Sequence, residues 1–239
     1  MTSLFREARE TLLPPKDSKD GPLPPLLVAV TFTTGLVDAF SFLELGRVFV
    51  ANMTGNVVFI AFALAGVSGF SIAPSLIALG SFVLGSLAGG LLGSHIGSQR
   101  GRLLGTCTGI EASCLGVAVI LAVLAGNPMP ADYGYPTIVV LGISMGLQNA
   151  VARKLAVPDL TTTVLTLTLT GIVADSHLAG GTGSRAGRRL IAVLAMFAGA
   201  FVGVVSILHT SVVYPLAIAL IVIASVSIAS WTFSRGNKI

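Results

Sequence analysis

Residues 35–57 read Gly35-Leu36-Val37-Asp38-Ala39-Phe40-Ser41-Phe42-Leu43-Glu44-Leu45-Gly46-Arg47-Val48-Phe49-Val50-Ala51-Asn52-Met53-Thr54-Gly55-Asn56-Val57. This stretch joins the end of one apolar segment, with a carboxylate in its middle, to the start of another that opens on a polar cluster. The second segment, near 48–66, is too short and too polar at its start for an ordinary crossing, which needs about 20 apolar residues. A segment that enters a bilayer without leaving by the other face is the reading that fits it.

The rest of the chain supports a bilayer setting. Its 239 residues are 54% hydrophobic and only 10% charged, with a mean hydropathy of +0.92. A soluble domain carries about 25% charged residues, and this one would expose large apolar patches in water. Apolar segments follow one another near 26–45, 48–66, 74–95, 103–126, 136–152, 157–174, 190–209 and 212–233. The sixth resembles the second in being short and polar, with Pro158-Asp159-Leu160-Thr161-Thr162-Thr163 at its head.

The two halves of the chain match in order. Gly35-Leu36-Val37-Asp38-Ala39 matches Gly146-Leu147-Gln148-Asn149-Ala150. Asn52-Met53-Thr54-Gly55-Asn56-Val57 matches Asp159-Leu160-Thr161-Thr162-Thr163-Val164, after a short deletion in the second half. Leu76-Ile77-Ala78 matches Leu190-Ile191-Ala192, and Gly85, Gly89 and His95 fall on Gly199, Gly203 and His209. The expected organisation is a tail over 1–25, a first repeat over 26–126 and a second over 136–234, together one membrane domain.

Charge sets the expected topology. Eight full crossings would put Arg47, Arg100, Arg102, Arg153 and Lys154 outside, against the rule that basic residues stay inside. If the second and sixth segments enter and leave on one side, all 14 basic residues except Arg47 are cytoplasmic, as are both termini. Each half then contributes three full crossings, so the halves are inverted relative to each other. The expected fold is all-α integral membrane, with two inverted repeats, six full transmembrane helices and two short broken or re-entrant segments. The pI near 9.4 therefore reflects orientation, and no nucleic-acid partner is expected.

At the head of the tail, Leu4, Phe5, Ala8 and Leu12 recur at helical spacing among charged residues, the pattern of a surface-lying helix. A Pro-rich linker follows over 14–22. No basic segment runs straight into an apolar one, so no cleavable signal peptide is expected. Cys107 and Cys114 lie about 10 Å apart along a helix, too far for a disulfide. Gly85, Gly89, Gly93 and Gly97 make a small-residue stripe suited to close helix packing, either between the halves or in a homodimer.

The candidate site follows from the two polar clusters. A half-helix starting inside the membrane presents unpaired N–H groups at its positive end, and transporters use such ends to bind solutes near the midplane. Asn52, Thr54 and Asn56 in one half, and Asp159, Thr161, Thr162 and Thr163 in the other, are the candidate substrate-binding residues, with Gln148 and Asn149 as neutral hydrogen-bonders. Asp38 and Glu111, carboxylates inside spans, are the candidate coupling groups. Thr163, Thr166 and Thr170 share a helix face and form either a hydroxyl-lined path or hydroxyls bonded to their own helix. Glu44 and Arg47 either pair locally or leave Arg47 lining an outer vestibule.

Enzymatic signatures are missing: the three histidines and two cysteines fit no zinc spacing, and no HExxH, GxSxG or Walker sequence occurs. No enzyme activity, metal or cofactor is expected. The function expected is a secondary transporter of a small polar or anionic solute, with proton coupling. The alternatives are a channel for a small solute or ion, or a non-transporting membrane scaffold.

The stretches Gly35 to Leu43 with Val50 to Asn56, and Met145 to Ala150 with Val157 to Thr163, resemble the YoaK family of bacterial membrane proteins. The resemblance covers residues 26–234. It implies a bacterial inner-membrane location in contact with the lipid bilayer, and it supplies no substrate.

Overall fold

The structure is a computed structural model, and it describes residues 2–15, 18–160, 162, 165–176, 179–181 and 185–236. Among these residues all regular structure is helical. The helices are α1 (Thr2–Leu12), α2 (Leu23–Glu44), α3 (Met53–Leu64), α4 (Ile72–Ile96), α5 (Arg100–Ala125), α6 (Ala131–Leu155), α7 (Leu165–Ala174), α8 (Ala186–His209) and α9 (Tyr214–Gly236). Six of them, α2, α4, α5, α6, α8 and α9, are long and apolar enough to cross a bilayer. The short pair, α3 and α7, occupies the two peculiar segments. The protein is therefore an all-α, multi-pass integral membrane protein.

Local chemistry explains the boundaries. Pro24 sits in the first turn of α2, where its missing N–H costs nothing. Gly126, at φ +70, closes α5, and Ala156, at φ +50, closes α6. The fifth segment begins earlier than its hydropathy suggests: α6 starts at Ala131 and carries Pro136 inside. Asp132, Tyr133 and Tyr135 lower the hydropathy of its first turns, and such aromatic residues suit a membrane–water interface.

Large apolar side chains point outward and small ones inward, the arrangement expected when lipid replaces water. Val83, Leu84, Leu87 and Leu91 of α4 are exposed, whereas Gly85, Gly89 and Gly93 are buried. α2, α5, α6 and α9 form the centre; α4 packs on α6 and α8 packs on α2. The short helices sit outside these, α3 on α4 and α7 on α8.

The two halves pack alike. A Cβ on Gly35 would overlap Met196 O and crowd Ala200 N, and one on Gly146 would overlap Phe82 O and crowd Ser86 N. Gly199 meets Phe32 O as Gly85 meets Ile143 O. Gly203 lies against Leu36 and Ala39 as Gly89 lies against Leu147 and Ala150. The small-residue stripe therefore joins α4 to α6 and α8 to α2 inside one chain.

One end of the bundle, called here the near face, is tied by polar contacts. Asp20, ahead of α2, meets Arg100 of α5 at 3.1 Å and Arg188 of α8 at 4.0 Å. Arg100 Nη2 also donates to Leu155 O at the end of α6, at 2.7 Å. α1 lies across the start of α8, where Glu7 Oε2 accepts the Gly187 amide at 3.0 Å. Phe5 and Leu12 of α1 are exposed, as a surface-lying helix requires. The connection through α3 stays at the opposite, far face, because it joins the end of α2 to the start of α4. The connection through α7 joins the end of α6 to the start of α8 and stays at the near face.

Candidate functional site

The chain turns back into the bundle immediately after α2. Val48, Val50 and Ala51 are buried, and Asp38 Oδ1, more than a turn back along α2, accepts the amides of Val50 at 3.1 Å and Ala51 at 2.9 Å. A reversed segment inside a membrane must satisfy its own backbone. Asp38 does this for two N–H groups. Asn56 does it for Phe49, accepting its N–H at 2.9 Å and donating to its carbonyl at 2.6 Å. Phe49 also stacks on Phe42, with centroids 5.1 Å apart. The re-entrant loop therefore lies against the face of α2 that carries Asp38 and Phe42.

A second group of polar side chains is buried among the central helices. Gln148 Nε2 of α6 donates to Thr34 Oγ1 of α2 at 2.9 Å, while Thr34 donates to Val30 O of its own helix at 3.0 Å. Asp38 Oδ2, Gln148 Oε1, Ser144 Oγ and both carboxyl oxygens of Glu111 are buried with no hydrogen-bond partner. They share a level. Arg100 meets Leu155 at the near face, and Glu111 and Ser144 each stand about 16 Å of helical rise beyond those residues. Asp38 lies about 6 Å along α2 from Thr34, and Ser144 about 6 Å along α6 from Gln148, both away from the near face. Three central helices thus bring unsatisfied oxygen atoms to one depth inside the membrane domain. Leaving such atoms unpaired is costly, which makes this the feature of the core that most requires an explanation.

The other sequence-nominated residues fall elsewhere. Asn52 and Thr54 are exposed beside the start of α3, and Asn52 makes no side-chain cap there. Asn149 faces away from the core into a groove between α4 and α6, and its Nδ2 donates to Met145 O at 2.8 Å. Asp159 is at the near face, bonded to Arg189 Nε at 2.7 Å and to Arg185 at 3.6 Å. Arg189 also meets Asp175 at 2.8 Å. Thr162 is buried at φ +64 with an unpartnered hydroxyl. Thr161 and Thr163 lie outside the described residues. The threonine face of α7 does not line a path there: Thr166 and Thr170 are exposed, and Thr170 donates to Thr166 O at 2.9 Å.

No Glu44–Arg47 pair forms. Arg47, at φ +57, stands over the Phe70 ring at 5.5 Å, at the rim of a phenylalanine cluster. Among the described residues no group of His, Cys, Asp and Glu could hold a metal ion, and Cys107 and Cys114 are free.

Sequence reasoning passes over Ser144, Thr34 and Arg189. The first two carry a usable signal: Ser144 is one turn from Gln148 and Thr34 one turn from Asp38, so each extends a polar face already in view.

Comparison with known proteins agrees with this architecture. The chain is 32% identical over 154 residues to the UPF0700 transmembrane protein YoaK of Bacillus subtilis (strain 168), covering 63% of this chain and 65% of that one, just under two thirds of the relative's length. No solved structure matches the chain. The family model described as "Protein of unknown function (DUF1275)" matches residues 26–229, from α2 through most of α9. The multi-pass bundle, from its first span to its last, is thus what the chain shares with the DUF1275 family, to which it belongs.

Proposed function

We propose that this protein is a secondary transporter of a small polar or anionic solute, built from two inverted repeats and coupled to protons. The observation that carries the reading is the set of buried, unpartnered oxygens that three central helices carry at Asp38, Ser144 and Glu111, with Gln148 one turn away. A bound solute or water would satisfy them, and buried intramembrane carboxyl groups commonly serve ion and proton pathways. In this reading Ser144, Gln148 and Thr34 bind the solute, and Asp38 and Glu111 exchange protons.

The repeats support alternating access. The re-entrant loop held by Asp38 and Asn56 serves as the far gate, and the Asp159 turn, clasped by Arg189 and Arg185, as the near gate. Their placement at opposite faces fits a pseudo-two-fold axis in the membrane plane. Both termini, and every basic residue apart from Arg47, are assigned to the cytoplasm by the positive-inside rule. Burial of the central level on all sides favours a carrier over an open channel.

The test is solute-driven proton movement. Proteoliposomes loaded with a pH-sensitive dye are exposed in turn to a panel of amino acids, small carboxylates, amides and sugars. A solute that moves protons with the wild-type chain, and not with Asp38→Asn or Glu111→Gln of normal folding, supports the reading. Equal proton movement in both variants contradicts it.

A further inference from the structure

Every Lys, Arg and His of the six spans stands in a first or last turn, as Arg100 and Arg102 do in α5, Arg153 and Lys154 in α6 and His209 in α8. Away from those ends the spans carry two carboxyl groups, Asp38 and Glu111, and no basic side chain. The interior is therefore electrostatically one-sided, and an ionised carboxylate buried in this way needs a positive partner.

Contacts between helices bring both carboxyl groups around Ser144. α2, α6, α5 and α9 each pack on the next in a ring, with neighbours antiparallel. Thr34 meets Gln148 at 2.9 Å, so one turn farther from the near face Asp38 of α2 comes level with Ser144 of α6. Arg100 meets Leu155 O at 2.7 Å, and an equal number of residues on from each, Glu111 of α5 comes level with Ser144 as well. α9 closes the ring with the buried side chain of Ile223, one turn beyond the contact of 2.9 Å between Ser227 Oγ and Gly105 O.

The unpartnered atoms around Ser144 are acceptors. Asp38 Oδ2, Gln148 Oε1 and both oxygens of Glu111 can only accept while the carboxyl groups are ionised, and Ser144 Oγ is the one among them that can also donate. An anion finds no fixed positive charge here. The Val50 and Ala51 amides brought to Asp38 are already taken by its Oδ1, and Gln148 Nε2 already donates to Thr34. A bare metal ion would have to gather its oxygens within about 2.5 Å of one point, as calcium does. These oxygens come instead from helices at opposite corners of the ring and from two turns of α6. A solute with several N–H groups spans such a spacing and supplies both the donors and the positive charge.

We propose that the interior site around Asp38, Glu111 and Ser144 binds a compact organic cation with several N–H donors, of the guanidinium or primary-ammonium class. This rests on the reading of that level as the solute site, and it narrows the solute from polar or anionic to polar and cationic.

The purified full chain is unfolded thermally in detergent, at fixed pH and ionic strength, with guanidinium, methylammonium, tetramethylammonium, sodium or acetate at low millimolar concentration. Guanidinium or methylammonium should raise the melting temperature, as a ligand bound only by the folded state does, and the other three should not. Asp38→Asn and Glu111→Gln should each weaken the binding about tenfold or more, since each removes a charged hydrogen bond. Ser144→Ala, which removes no charge, should weaken it less. R47Q, which removes the cation at the far face, should leave it unchanged. Stabilisation by acetate, equal stabilisation by tetramethylammonium or sodium, no stabilisation by either N–H cation, or full stabilisation kept in both carboxyl variants would each overturn the assignment. Cation binding without proton movement in vesicles would remove the transport reading and leave the assignment standing. Proton movement driven by an anion would overturn the assignment and leave transport standing.

Discussion

The carboxylate of Asp38, in the middle of a membrane-spanning helix, accepts the backbone amide of Ala51 at 2.9 Å across a chain reversal. One oxygen of the carboxylate is thereby committed to holding the re-entrant loop, and Val50 shares it at 3.1 Å. The other is buried and unpartnered. One residue therefore links the far-face loop to the central polar level.

This double duty separates two substitutions. Asp38→Ala removes the acceptor from two buried amides, and an unsatisfied buried group costs about 1–3 kcal/mol; a clear fall in thermal stability in detergent is expected. Asp38→Asn keeps an acceptor oxygen and should unfold close to wild type. If both variants melt together, the loop does not depend on this acceptor.

Asn56 should behave as a clamp on Phe49. Asn56→Ala leaves both backbone groups of Phe49 without their partners and should cost about 2 kcal/mol. Hydrogen exchange over residues 48–51 is the measurement, with faster exchange expected there and unchanged exchange in α6. Asn56→Asp keeps the acceptor and loses the donor, and should fall between Asn56→Ala and wild type.

The matched glycines give a test of packing that is independent of function. Gly85→Ala and Gly199→Ala drive a methyl group into Ile143 O and Phe32 O respectively, and overpacking of this kind costs about 1–3 kcal/mol. Gly90→Ala meets open space and should be neutral or raise stability by about 0.5–1 kcal/mol, through the helix preference of alanine over glycine. Melting temperatures of the three variants decide it. Equal shifts at Gly85 and Gly90 would contradict the described packing of α4 on α6.

At the near face, Arg189 should matter more than Asp20. Arg189 is 13% exposed and joins Asp159 to Asp175, whereas the Arg100 partner of Asp20 is 33% exposed. Arg189→Gln should cost about 2 kcal/mol through loss of charged hydrogen bonds. Asp20→Asn should cost less, about 1 kcal/mol, because it keeps an acceptor oxygen for Arg100, whose side chain is one-third exposed. Raising salt should weaken the Asp20 contact and spare the Arg189 contact.

Much of the fold is legible because hydropathy is a property of long segments. The six spans and the two short helices fall where the apolar runs and polar clusters indicate, and the ordered matches between the halves correspond to matched contacts such as Gly35 with Met196 and Ala200, and Gly146 with Phe82 and Ser86. The site is legible only in part. Asp38, Glu111 and Gln148 stand out as polar residues in apolar runs, and all three are buried in the core. Asn52, Thr54 and Asn149 look the same in sequence, but they lie on faces that point outward, and the local run of residues does not say which face will meet the bundle. Asp159 looks like a helix cap in sequence. Its partner Arg189 is a full element away and looks like one more orientation charge, so their ion pair emerges only in three dimensions. The partners of Asp38 are hidden for a different reason: they are backbone amides, which every residue but proline possesses.

The central claim is that the level of Asp38, Ser144 and Glu111 lies on a solute path. It is tested most directly by thiol labelling at Ser144. In a Cys107→Ala, Cys114→Ala background, Ser144→Cys is exposed to a membrane-impermeant thiol reagent from one side of sealed, oriented vesicles and then from the other. The account predicts labelling from each face, because alternating access opens the level to both. A thiol that reacts from neither face, yet reacts fully once the protein is denatured, would mean that the level is sealed and that the protein does not carry solutes through its centre.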